Sequence, residues 1–416
     1  MMTSRERVLA ALDHRPPDRT PLDLGGSIVT GIHCEPLQGV RRELGLEERP
    51  ARIYDTVQML GEVEMDLVER LGIDVLRVDL PGARVGAHGA EMKLWEPFEG
   101  VTVEVPASLD VGRDGEGGWY LFRGAGDDRK PVMHMPEGSF YFDTIGYGRW
   151  HHDFKPPPLE EIRRASESWH LHEPSLEILA ERAQELRETT DRALLMMAGG
   201  VGVCYIGHLT DFLCLLAEDP DYVYDSFQIN AEVAISNLEK MWEYVGDNVD
   251  LLWISGLDLG SQRCELISPA TFERVYVPAF RPQYEWIHEN TTWRTFRHSC
   301  GSIANIVETM ADAGVDALNP VQTTAAGMEP SSLKERVGDK VAFWGGGVET
   351  QGVLQFGTPD QVREQVAERV RIFGEGGGFV FCPDHNIQPN TPPENIIAAY
   401  ETAREADQHR VSQHHT

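Results

Sequence analysis

The sequence predicts an α/β fold, a (β/α)8 TIM barrel with an N-terminal helical extension and a β-rich insertion after its second strand. Three observations carry this. Short, nearly continuous apolar runs recur along the chain, eight of them, each ending at small or polar residues. Amphipathic helical stretches lie between most of them, and apolar strands alternating with helices indicate a parallel sheet covered on both faces. The 416 residues suffice for one large α/β domain, so residues 1–416 read as a single barrel.

Taken in order, the chain opens with TSRERVLAALDH (3–14), a helix capped by Thr3 or Ser4 with Val8, Leu9 and Leu12 as its apolar face. Pro16 and Pro17 end it. The first two strands are TPLDLGG (20–26) and IDVLRVDLPG (73–82). Residues 84–150 then break the alternation: EMKLWEPFEGVTVEVPASLDV and GGWYLFRG read as short antiparallel strands with turns. An insertion leaving the C-terminal face suits a lid over the barrel mouth or a partner interface, with decorative bulk as the alternative. Residues 151–190 are charged and helical. The remaining strands are LLMMAGG (194–200), LLWISGLDLG (251–260), TWRTFRHSCG (292–301), VDALNPVQ (315–322), VAFWGGG (341–347) and GFVFCPDH (378–385). SIANIVETMADAG (302–314) and PDQVREQVAERVRIFGEGG (359–377) are helices between them, and the closing DQHRVSQHHT, within 406–416, reads as a disordered tail.

Composition narrows the function. With 37 basic and 67 acidic residues the formal net charge is −30, which repels phosphate backbones and anionic lipid surfaces and argues against nucleic-acid and membrane partners. No apolar run reaches about 18 residues, and MMTSRERVLAALDHRPPDR lacks the features of a secretory signal, so a cytoplasmic location is expected. Six scattered cysteines (Cys34, Cys204, Cys214, Cys264, Cys300, Cys382) form no disulfide framework; most are expected in the core, the others as metal ligands.

The chemistry concentrates in RHSCGS (297–302). Residues two apart in a strand point to the same side, so His298 and Cys300 lean together toward the barrel mouth. Cys382 ends the last strand, and Pro383 after it stops the ladder. A closed ring brings these rims across a narrow opening, so the three groups can converge. Histidine with two thiolates is soft enough to select zinc over magnesium or calcium, and three protein ligands leave a fourth place for water or substrate. A lone H-x-C, by contrast, is often two plain core residues.

Other strand ends supply polar groups around this point. Asp258 and His385 are candidate catalytic residues; Gln262, Asn319, Gln322 and Glu349 are candidate substrate-binding residues, and helix capping is the alternative for each. Asp384 shares their surroundings, while Asp23 and Asp79 read as satisfied structural carboxylates. GGG (345–347) and GEGGG (374–378) match neither a dinucleotide fingerprint nor a phosphate loop, and read as a tight turn and a helix C-terminal cap. Cys204 and His208 lie just beyond the third strand.

At these residues the sequence resembles the uroporphyrinogen decarboxylase-like superfamily, in particular its zinc-dependent corrinoid methyltransferase branch, which includes the methylcobamide:coenzyme M methyltransferases. The resemblance runs through TSRERVLAALDHRPPDRTPLDLGG (3–26), GLDLGSQRCELISPATFERVYVP (256–278), HSCGSIANIVETMADAGVDALNPVQ (298–322) and FCPDHNIQPNTPPENIIAAYE (381–401). It implies a (β/α)8 barrel and a zinc motif H-x-C…C mapping onto His298, Cys300 and Cys382. The decarboxylases carry an arginine-rich N-terminal segment, whereas LDLGGSIVTGIHCEP here has no arginine. The related cobalamin-independent methionine synthases add a glutamate ligand where this chain has Val321 and Gln322, leaving the fourth position to the Gln322 amide oxygen or to water.

The resemblance implies a cobalamin-dependent, zinc-activated methyltransferase. Its methylcobamide would be carried by a separate corrinoid protein, since the chain has no D-x-H-x-x-G segment of its own. The other substrate would be a small methyl donor, as in a demethylase system, or a thiol acceptor. Two alternatives stay open: a metal-free decarboxylase-like lyase and a non-catalytic corrinoid-binding barrel. Self-association is also left open.

Overall fold

The computed structural model describes residues 1–80, 91–145, 154–254 and 256–406. The expected tail therefore lies outside the described residues apart from Ala406, the C-cap of the last helix, and so do the two ends of the 84–150 insertion.

Seven parallel strands form one sheet, in the order Phe379–Val380, Ala342–Trp344, Ala317–Asn319, Arg294–His298, Leu251–Ile254, Ala193–Met197 and Val75–Asp79. The period of two sorts their side chains between two separate apolar clusters. Ala193, Leu195, Met197, Leu251, Phe296, Ala317, Ala342, Trp344, Val380 and Cys382 pack together on the inner face. Leu194, Met196, Leu252, Ile254, Leu318, Phe343 and Phe379 face the other way, into the cluster shared with the surrounding helices. Both faces are covered, which is why these strands lack an apolar–polar alternation.

The first expected strand, 20–26, is not one. It forms a single parallel bridge, Leu22 with Phe381. Phe381 N donates to Pro21 O at 2.8 Å and Asp23 N to Phe381 O at 2.9 Å, while Asp74 N donates to Leu22 O at 2.8 Å. One short segment thus bonds beside both edges of the sheet. It cannot extend, because Pro21 has no N–H, Leu22 N is taken by the Asp74 carboxylate at 2.9 Å, and Gly25 turns the chain at φ 82°.

The N-terminal helix, Ser4–Leu12, starts from Thr3 in a reciprocal capping box with Glu6. Val8, Ala11 and Leu12 enter the inner cluster, so this helix packs against the inner face of the sheet. Leu9 is only partly buried against it. The helix expected over 302–314 begins at Val307, because Ser302 N and Oγ bond instead to Ser261 O and Ala326 O. Pro359–Phe373 follows its expected span from a second capping box at Thr358, and Gly374 is its C-cap.

The insertion is less self-contained than its sequence suggests. Met92–Phe98 and Val101–Pro106 pair antiparallel, but Val101–Pro106 also pairs in parallel with Ala51–Asp55, a strand outside the insertion that the sequence pattern did not reveal. Val111–Arg113, Trp119–Arg123, Lys130–Met135 and Asp143–Thr144 form a second four-stranded sheet. Leu159–Ser166 and Glu173–Thr189 are the helices of the charged 151–190 span. Among the described residues no helix is long and apolar enough to cross a membrane.

Candidate metal centre

Strand parity places the centre. His298 has the same parity as Phe296, which is fully buried in the inner cluster, so its ring stands above that cluster where the strand ends. Asn319 is its register partner on the next strand. The two side chains meet: His298 Nδ1 lies 2.6 Å from Asn319 Oδ1. Asn319 Nδ2 donates to Trp344 O at 2.8 Å, so the amide oxygen is the atom that faces the imidazole. An oxygen can only accept here, hence Nδ1 carries the proton and Nε2 presents its lone pair. Burial lowers the His298 pKa, which keeps the ring neutral.

That lone pair faces a thiol and a carboxylate. His298 Nε2 lies 3.3 Å from Cys300 Sγ and 3.5 Å from Asp258 Oδ1, and the three ligand atoms all fall within 4.8 Å of one another. A tetrahedral ion at about 2.0 Å from nitrogen and about 2.3 Å from sulfur would set those two atoms about 3.5 Å apart. The observed 3.3 Å is close to it, and it is also the distance of a thiol–imidazole hydrogen bond. Burial, followed by the nearby Asp258 carboxylate, pushes the Cys300 thiol far above its ordinary pKa. A cation is what would release it as thiolate.

Asp258 reaches this point through a backbone contact between two loops. Its Oδ1 accepts from Cys300 N at 2.9 Å, Gly260 N donates to Cys300 O at 3.2 Å, and Leu259 N donates to Ser299 Oγ at 3.0 Å. Gly301 has φ 82°, and a Cβ on it would stand 2.3 Å from the Gly260 carbonyl carbon. Only glycine fits both the conformation and the contact. Gln322 supports the same turn, its Oε1 accepting from Gly301 N at 2.5 Å.

These contacts locate the other sequence candidates. Asp258, expected as a catalytic group, lies beside the two ligand candidates, its Oδ1 3.5 Å from His298 Nε2. Asn319, fully buried, orients His298 instead of facing a substrate. The Gln322 oxygen is turned to Gly301, whose N–H it accepts. Gln262 is exposed, its backbone carbonyl accepting from Ala326 N, and Glu349 lies over Gly352 in the loop beyond Trp344.

Cys382 stands apart from the cluster of Asp258, His298 and Cys300. It is fully buried in the inner cluster with Val380 and Trp344, and its Sγ is 4.0 Å from Asn319 Nδ2. Burial, with Asp23 and Asp384 nearby, raises its pKa well above the usual thiol value. Asp384 accepts from Thr350 N and Oγ1, and burial raises its pKa to about 6. Asp23 accepts from Trp344 Nε1 and Gly26 N, and Asp79 pairs with Arg77 at 2.7 Å, so both are held within the fold.

His385, partly buried after Asp384, lies near His298 and Asp258. Burial is the main cause of its lowered pKa, opposed by the nearby Asp258 carboxylate. Gln388, which the sequence reading passed over, places its Nε2 3.4 Å from His385 Nδ1. Contrary to the expectation of core thiols, Cys204, Cys214 and Cys264 are exposed. His208 is the N-cap residue of Leu209–Glu218, and neither it nor Cys204 joins a cluster of ligand groups among the described residues. A cleft of about 670 Å³ lined by Phe98, Arg113, Trp119 and Phe140 lies within the insertion, and none of the residues above lines it.

Comparison with known proteins adds three findings. A family model described as uroporphyrinogen decarboxylase (URO-D) matches residues 153–406. The uroporphyrinogen decarboxylase of Methylococcus capsulatus is 36% identical over 99 residues, covering 24% of this chain and 26% of that protein. That of Saccharophagus degradans is 39% identical over 92 residues, 22% and 24% of the two chains, so each alignment spans about a quarter of the curated relative. Among solved structures, a methyltransferase from Methanosarcina mazei has the same fold, with a TM-score of 0.55 and 18% identity over 97% of this chain and 99% of that one.

Proposed function

From the premise that this chain belongs to the uroporphyrinogen decarboxylase family, we propose that it is a zinc-dependent methyltransferase moving a methyl group between a small methylated substrate or thiol and a corrinoid carried by a separate protein. The observation that carries this is the tautomer of His298: Asn319 turns its Nε2 lone pair toward Cys300 Sγ at 3.3 Å. A metal-free decarboxylase has no need of that pairing. In this reading the 20–23 segment, bonded beside both sheet edges, is the eighth position of a closed barrel, with the centre at its mouth.

His298 and Cys300 would hold the ion, and Cys382 would join them in preference to Asp258, because zinc favours a second thiolate over a carboxylate. When bound, zinc keeps a coordinated thiolate nucleophilic near neutral pH, or polarises an oxygen that must leave. The chain's own residues do the positioning. Asn319 fixes the imidazole, Gln322 and Asp258 hold the turn that carries Cys300, and His385 stands beside them.

The test is metal content followed by turnover. Purified protein should hold about one zinc per chain and transfer methyl from methylcobalamin to a thiol, and Cys300→Ser should lose both. A metal-free protein that binds no added zinc would overturn the proposal.

A further inference from the structure

Among the described residues of the insertion, Tyr141 bonds to Gln388, the neighbour of His385. Phe142 N donates to Val57 O at 3.0 Å and its ring is buried against Trp95, which fixes the segment that carries Tyr141. The Tyr141 hydroxyl donates to Gln388 Oε1 at 2.5 Å. On the other side of that amide, Gln388 Nε2 donates to Asn386 O at 2.6 Å and lies 3.4 Å from His385 Nδ1. Asn386 is itself fixed, its Nδ2 donating to Ile28 O and Gln58 Oε1 and its Oδ1 accepting from Gly31 N.

We propose that Tyr141 and Gln388 are positioning residues that hold His385 as its Nε2–H tautomer beside His298 and Asp258. The Gln388 amide nitrogen is bound to a carbonyl, so the amide oxygen faces Tyr141 and the second N–H points at His385 Nδ1. That ring atom must then be the acceptor, and the proton resides on Nε2. The two histidines of the centre are thereby set to opposite tautomers: His298 offers a lone pair and His385 offers an N–H. If the methyltransferase reading holds, that N–H is a donor for an oxygen or anionic group of the small substrate. The tautomer assignment itself rests on geometry alone and does not need that reading.

The experiment is long-range ¹H–¹⁵N correlation NMR on the full-length protein labelled with ¹⁵N-histidine, near pH 7.5, with His385 assigned by its loss in His385→Gln. His385 should show the Nε2–H pattern. Gln388→Glu, which puts only acceptor atoms opposite Nδ1, should convert it to Nδ1–H, and Tyr141→Phe should leave the fold intact while His385 averages between tautomers. An Nδ1–H pattern in the unmodified protein, or no change in Gln388→Glu, overturns the proposal. Where methyl transfer is measurable, Tyr141→Phe should lower kcat on the order of tenfold with KM unchanged. Zinc binding and turnover together with an unaltered tautomer would sink this inference alone, whereas the expected tautomers in a protein that binds no zinc would sink only the methyltransferase reading.

Discussion

The imidazole of His298 is held by Asn319 across a pair of parallel strands, Nδ1 to Oδ1 at 2.6 Å, and the same amide donates to the Trp344 carbonyl at 2.8 Å. The contact ties strand register to the orientation of the imidazole, since the two residues are register partners. Replacing the amide with an apolar side chain of similar size frees the ring to take the wrong tautomer. Asn319→Leu should weaken zinc binding by about 10- to 100-fold, read by competition with a chromophoric chelator. Unchanged affinity would contradict the role assigned to Asn319.

The loop contact between Gly260 and Gly301 predicts a steric sensitivity near the centre. A Cβ on Gly301 meets the Gly260 backbone at 2.3 Å in a left-handed conformation, and one on Gly260 meets Ser302 O at 2.5 Å. Neither neighbour is a flexible side-chain tip. Gly301→Ala should cost on the order of 1–3 kcal/mol in chemical denaturation and reduce zinc stoichiometry, because the turn carrying Cys300 has to move.

Asp74 joins the N-terminal helix to the sheet. It is fully buried and accepts from Arg7 at 2.7 Å, from Arg19 at 2.7 and 2.9 Å, and from Leu22 N at 2.9 Å. Asp74→Ala leaves two guanidinium groups without their buried partner and should destabilise by on the order of 3–5 kcal/mol, seen as a shift in denaturation midpoint. A shift below about 1 kcal/mol would show that solvent compensates the pair.

His33 supplies a pH dependence. It is 1% exposed, and burial lowers its pKa from 6.5 to about 4. The folded form therefore binds fewer protons than the unfolded chain between those values. Its stabilising contribution is complete above pH 6.5 and is lost as pH falls toward 4, on the order of 3 kcal/mol across the window. His33→Asn keeps an acceptor for Glu35 N at the helix start and removes the titrating ring. The variant should lose less stability than the unmodified protein between pH 7 and pH 4; parallel curves would contradict the assignment.

What the sequence revealed and what it hid divide along physical lines. Buried parallel strands write themselves as apolar runs, so seven strands were legible. The remaining run, TPLDLGG, has the same composition, but its backbone donors are missing at Pro21 and diverted at Leu22, and no apolar count registers that. His298 and Cys300 were legible because two-residue spacing survives in any strand end. The approach of Asp258 to His298 and Cys300 was not legible, because it depends on two glycines in loops far apart in sequence. The contact of Asn319 with His298 was hidden, since it depends on strand register. Gln388 and Tyr141 were missed altogether: nothing local marks a tyrosine within a β-rich insertion as the partner of a glutamine near the end of the chain.

The central claim is that His298, Cys300 and Cys382 share one ion, with Cys382 drawn in from its buried place beside Asn319. X-ray absorption at the zinc K-edge of the loaded protein counts its sulfur neighbours directly. Two sulfurs at about 2.3 Å and at least one imidazole nitrogen, falling to one sulfur in Cys382→Ser, is the predicted result. A first shell of oxygen and nitrogen alone, or one sulfur that persists in Cys382→Ser, would contradict it.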